Sequence, residues 1–151
     1  DAEKLSDVDG NPLKLNGIRG SPLKWHPDGE RLLLQTVPWP EMEQDSQTDT
    51  ALKLPTSPSI QDSTPGVKAP ARTYQDLLTS VEDEKEFEHF TTMQILSYDV
   101  EARRAVKLGS PDMYNGLSIS PDGQFLTVSI TRRPFSYLVP SSRFARDLEI
   151  W

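Results

Sequence analysis

Two stretches of the chain alternate apolar and polar residues on either side of the same kind of turn. In the first, Leu23 and Trp25 alternate with polar neighbours ahead of Pro27-Asp28-Gly29, and Leu32 and Leu34 follow it. In the second, Leu117 and Ile119 alternate with Ser118 and Ser120 ahead of Pro121-Asp122-Gly123. Leu126, Val128 and Ile130 then alternate with Phe125, Thr127 and Ser129. Period-two alternation is the signature of a half-buried strand, so each stretch predicts a β-hairpin. Proline presets φ at the turn, Asp bonds back to its own backbone, and Gly accepts the positive φ that closes the loop.

The two hairpins align without a gap, pairing Leu23 with Leu117, Trp25 with Ile119, Leu32 with Leu126 and Leu34 with Val128. The match extends backward, where SDVDGNPLKL resembles SYDVEARRAVKL, each a strand, a turn and a strand. Each copy is therefore four short antiparallel strands, the composition of one β-propeller blade. The predicted core is Leu23, Trp25, Leu32, Leu34, Leu117, Ile119, Leu126, Val128 and Ile130, buried between stacked blades.

A blade repeat usually occupies about 40 to 50 residues. The two turns here lie roughly twice as far apart, and the sequence between them argues for an insertion. Residues 38–72 are rich in Pro, Ser, Thr, Asp and Gln with no sustained alternation. Tyr74, Leu77, Leu78 and Val81 then fall on one helical face, with Thr73 as N-cap and an acidic run behind. Strand pattern resumes at Thr92–Tyr98 and again at Asp147–Trp151.

The expected fold is all-β, a partial propeller of about two blades of four-stranded antiparallel sheet with a long insertion containing one α-helix. Residues 1–37 would end one blade and supply the first hairpin of the next. Residues 38–91 would be the insertion, with a helix near 73–90, and 92–151 the rest of that blade and the start of a third. A ring needs four to eight blades, so residues 1–151 are expected to be a fragment of a propeller domain.

Composition narrows the function. Sixteen basic against 23 acidic residues give a net charge of -7, which argues against a nucleic-acid partner. No run approaches the roughly 18 apolar residues of a membrane span. The chain has no cysteine, hence no thiol nucleophile or thiolate metal site.

Candidate chemistry is sparse. Asp7, Asp9 and Asn11 suggest a calcium loop, but the glycine falls too early and Ile18 stands where the acidic ligand should be. Neither a metal nor another cofactor is expected. No G-x-S-x-G elbow occurs, and His26 and His89 are placed as exposed polar residues rather than catalytic bases. No catalytic residue is expected in the chain. The conspicuous cluster is cationic and aromatic: Arg132, Arg133, Tyr137 and Arg143 on the loop after the second hairpin, and Arg72 and Tyr74 where the insertion enters its helix. Arginine can grip a carboxylate with a bidentate fork, so these are candidate contacts to a bound carboxylate. The alternative is that they tie the insertion to the sheets through the acidic helix.

Several segments, in collinear order over most of the chain, resemble the N-terminal propeller of glutamyl endopeptidases, serine peptidases of the prolyl oligopeptidase family. They are KAPARTYQDLL, the acidic helix ending in Phe87-Glu88-His89-Phe90, Thr92-Met93-Gln94, SPDGQFLTVSITRRPFSYLVPSSRF and the closing LEIW. The sequence departs from the family pattern at Ala145-Arg146-Asp147 and at Ser57. The resemblance implies a non-catalytic segment that gates access to, and contacts substrate for, a C-terminal α/β-hydrolase domain of the same polypeptide. It implies acidic peptides as substrates, with Arg72, Tyr74, Arg132, Arg133, Tyr137 and Arg143 as candidate substrate contacts, cleavage after Glu or Asp, and a bacterial or chloroplast stromal protein. The alternative reading is a stand-alone propeller that acts as a protein-interaction module.

Overall fold

The computed structural model describes residues 4–6, 10, 12–38 and 77–151. Among them are two antiparallel sheets and one α-helix. The first sheet has the order β1 (Leu23–Trp25), β2 (Arg31–Thr36), β3 (Met93–Asp99), β4 (Arg104–Asp112). The second has β5 (Tyr114–Ile119), β6 (Leu126–Thr131), β7 (Arg146–Ile150). Both hairpins form as the alternation requires, with Trp25 opposite Leu32 and Ile119 opposite Leu126. Gly29 and Gly123 take φ values of 74° and 72° in their turns.

The sheets pack face to face. Leu33, Met93 and Ile95 of the first meet Tyr114, Leu117, Leu126, Val128 and Ile130 of the second. Leu32 and Leu34 point to the far side of the first sheet, where they pack with Leu96, Tyr98, Ala105 and Leu13. β2 is thus buried on both faces. The expected core is corrected at two places: Leu23 is 37% and Trp25 58% exposed. Both lie on the short outermost strand β1, at the rim of that far face. Ile119 is only partly buried at the edge of the core between the sheets.

The helix is also corrected. α1 runs from Val81 to Thr91, whereas residues 77–80 are not helical and Thr73 and Tyr74 lie outside the described residues. Ser80 is its N-cap. The Ser80 hydroxyl accepts from the Asp83 N–H at 3.1 Å, and the Asp83 carboxylate accepts from the N–H groups of Ser80 (3.2 Å) and Thr79 (2.7 Å). This reciprocal box satisfies donors that a helix start leaves open. Val81 is exposed, and α1 instead uses Phe87, packed with Leu78 against Met113, Phe135 and Phe144.

Candidate functional site

Strand directions decide where the candidate residues meet. The two Pro-Asp-Gly turns lie together at one end of the sheets, joined by His26 and Gly123. Because β1 and β2, like β5 and β6, are antiparallel, the segment before β1, helix α1 and the β6–β7 loop all gather at the opposite end. Asn16 fastens that end by donating its side-chain amide to the carbonyls of Phe90 (3.0 Å) and Thr92 (3.3 Å).

On this end the loop from Arg132 to Ala145 is held by ion pairs. Arg132 places Nε 2.7 Å from Asp147 and Nη1 2.7 Å from Asp112. The two carboxylates, Asp147 first, raise its pKa above the ordinary value. Arg133 reaches α1, with Nη1 2.6 Å from Glu84 and Nη2 2.6 Å from Glu88. These residues sit one turn apart, so a single planar guanidinium spans both. Glu88, then Glu84, raises the Arg133 pKa. Beneath the cation lies Phe135, its ring centre 4.7 Å from the guanidinium carbon and 5.1 and 5.3 Å from the ring centres of Phe87 and Phe144.

Tyr137 is exposed beside the same helix, and its hydroxyl is held un-ionised above its ordinary pKa, chiefly by its hydrogen bond to Glu84. Arg143 is exposed in a 3-10 turn, Ser141–Arg143. The structure therefore brings Arg132, Arg133, Tyr137 and Arg143 to one loop, while Arg72 and Tyr74 lie outside the described residues. A residue the sequence did not single out joins them. Arg19, before β1, lays its guanidinium 4.9 Å from the Phe87 ring centre. A lone arginine between glycines carries no pattern that would have marked it.

A hollow of about 230 Å³ opens nearby, lined in part by Leu13, Thr36, Val37, Gln94 and Pro111. Its polar centre is committed internally. Gln94 donates to the carbonyls of Leu108 (3.0 Å) and Gly109 (3.2 Å) at the bulge where β3 shifts register.

The arrangement can bind and position charge. Among the described residues neither histidine bonds a serine or threonine hydroxyl: His26 faces Gly123, Asp28 and Arg31, and His89 packs edge-on to Phe90. No group of three or more His, Asp or Glu among them is placed to hold a metal. Asp7, Asp9 and Asn11 lie outside the described residues. Among the described residues no helix is long and apolar enough to cross a membrane.

Comparison with known proteins gives two relatives. The chain is 34% identical over 100 residues, 65% of its length, to a rice (Oryza sativa subsp. japonica) protein named probable glutamyl endopeptidase, chloroplastic. It is 28% identical over 124 residues, 82% of its length, to an Arabidopsis thaliana protein of the same name. The matched segment spans only 10% and 12% of those two proteins. No family model and no solved structure matches the chain. The chain is therefore homologous to a short segment of plant proteins that carry the glutamyl endopeptidase name.

Proposed function

We propose that this chain is a non-catalytic β-propeller segment of a serine endopeptidase that cleaves after Glu or Asp. The chemistry would reside in a C-terminal α/β-hydrolase domain of the same polypeptide. The homology to glutamyl endopeptidases carries this reading.

The sense in which the sheets stack supports the propeller. Leu126 and Val128 face the first sheet, whereas their repeat equivalents Leu32 and Leu34 face away from the second. Equivalent residues thus point the same way around the stack, so the packing is head to tail rather than a symmetric sandwich. Head-to-tail contacts between similar units close into rings when each adds a rotation.

In this reading the segment shields the catalytic cleft and admits only extended peptides. The end carrying α1 and the β6–β7 loop is the substrate-facing end, because irregular excursions from a rigid sheet are the parts that reach a neighbouring cleft. Arg132 and Arg133 act there by bracing the loop, while Arg72, Tyr74, Tyr137 and Arg143 are the other candidate contacts. The gating role is tested with one Glu-containing sequence, presented as a short peptide and within a folded protein, to the polypeptide containing this segment. Cleavage of the peptide alone is the expected result. Equal rates on both would remove the gate.

A further inference from the structure

His26 stands between two acceptors that belong to different sheets. Its Nε2 lies 3.0 Å from the Gly123 carbonyl oxygen in the β5–β6 turn, and its Nδ1 lies 2.8 Å from Asp28 Oδ2 in its own turn. A carbonyl and an ionised carboxylate only accept, so each contact asks for a proton on the ring nitrogen that faces it. Neutral imidazole carries one such proton and imidazolium carries two.

Nδ1 also faces the Asp28 N–H, at 3.3 Å. A lone pair on Nδ1 suits that donor and is repelled by the carboxylate, whereas a proton reverses both preferences. The proton therefore decides which part of Asp28 holds the ring. The carboxylate contact is the shorter of the two, and charge assistance makes it the stronger.

The surrounding charges are otherwise committed. Against the desolvation that would raise it, hydrogen bonds led by the Glu30 N–H hold the Asp28 carboxyl below its ordinary range, so it stays an anion through neutral pH. Arg31 shares that carboxylate, with Nε 2.6 Å from Oδ2. Its Nη2 lies 3.4 and 3.5 Å from the two ring nitrogens, across the ring rather than on either one. That cation opposes a second proton, but its side chain is 45% exposed and screened by water, while the His26 side chain is 11% exposed. From the second sheet the ring meets the Gly123 backbone. The neighbouring Asp122 accepts from the Ser120 hydroxyl and the Gln124 N–H, and Lys24 donates to the Leu117 carbonyl.

We propose that His26 is a proton-controlled latch between the two sheets, closed when its imidazolium donates to both the Asp28 carboxylate and the Gly123 carbonyl, and loosened when Nδ1 gives up its proton. Histidine exchanges a proton between about pH 5 and 8. Since the folded state holds the protonated form, the latch contributes in mild acid and its contribution is lost as pH rises through neutrality.

A double-mutant cycle on the full chain tests it, with His26→Gln, Asp28→Asn and both together, followed by urea denaturation at pH 5.5 and 8.5. The cycle cancels what every other titrating group contributes. Coupling between the two residues should raise the folded-to-unfolded ratio about fivefold at pH 5.5, the margin of a charged over a neutral hydrogen bond, and should vanish at pH 8.5. Imidazole nitrogen spectra of the wild-type chain at pH 5.5 should show slowly exchanging N–H groups on both ring nitrogens of His26, and Asp28→Asn should lose the one on Nδ1. These spectra carry the test if a His26 variant does not fold. Coupling of equal size at both pH values overturns the proposal, as does a folded chain whose Nδ1 bears no proton at pH 5.5.

Discussion

The imidazole of His26 lies against the backbone of Gly123, its Nε2 3.0 Å from the glycine carbonyl oxygen. These residues belong to the two Pro-Asp-Gly hairpins, so the contact clasps one sheet to the other at the turn end. Asp28 orients the ring from the far side, 2.8 Å from Nδ1. Against the desolvation that would raise it, hydrogen bonds from the Glu30 N–H and the Arg31 guanidinium, with His26, keep the Asp28 carboxyl well below the ordinary range.

The clasp makes two glycines unequal. A Cβ on Gly123 would fall 2.5 Å from His26 Cε1, whereas one on Gly29 meets nothing within 4 Å, although both have positive φ. Gly29→Ala should cost about 1 to 2 kcal/mol for the left-handed backbone alone. Gly123→Ala should cost more. Urea denaturation of both variants measures the difference, and equal losses would mean that the clasp does not hold in solution.

Burial ranks the apolar positions. Leu126, enclosed between the sheets, should cost roughly 2 to 5 kcal/mol when changed to Ala, through lost transfer energy and the cavity left behind. Trp25→Ala should cost less than about 1 kcal/mol, since that ring is largely exposed. The reverse order in denaturant melts would contradict the described packing.

The start of α1 should be acid-sensitive. Hydrogen bonds from the Thr79 hydroxyl and N–H, and then from Ser80, depress the Asp83 pKa. A carboxylate depressed in the folded state stabilises it above the unfolded pKa, about 3.9 for Asp, and that contribution disappears as pH falls through the lower folded value. The stability gap between wild type and Asp83→Ala should therefore be full at pH 7 and shrink below about pH 4. Ser80→Ala should cost about 1 kcal/mol as a lost N-cap. A gap that does not change with pH would exclude an ionised cap.

Arg133 joins the loop to the helix through exposed ion pairs, which salt screens. Arg133→Ala should lower the melting temperature, and the difference should narrow in 1 M salt. In the peptidase that the proposed function requires, it should reduce turnover of Glu and Gln substrates equally. A selective loss on Glu substrates would show Arg133 meeting substrate directly.

Both hairpins were legible because alternation and turn chemistry are local. Leu33 was not, since its burial depends on the second sheet covering that face. The helix start was misassigned for a related reason. Leu77 and Leu78 continue a helical spacing, yet the stronger signal, Ser80 three residues before Asp83, ends the irregular segment. The arginine cluster was visible as composition, but its partners on α1 and β4 are 20 to 49 residues away in sequence and only the fold brings them close. Arg19 emerged only from its place against the Phe87 ring, which the fold alone brings near it.

The most direct measurement compares the 151-residue chain with the longer polypeptide that the proposed function requires, for hydrolysis of a Glu substrate and labelling by a serine-reactive phosphonate. The chain alone should show neither. The longer polypeptide should show both, favour Glu over Gln, and lose activity in proportion to label incorporated. Turnover by the chain alone that disappears on changing one of its own residues, or a longer polypeptide that neither labels nor hydrolyses, would contradict a non-catalytic segment of a glutamyl peptidase.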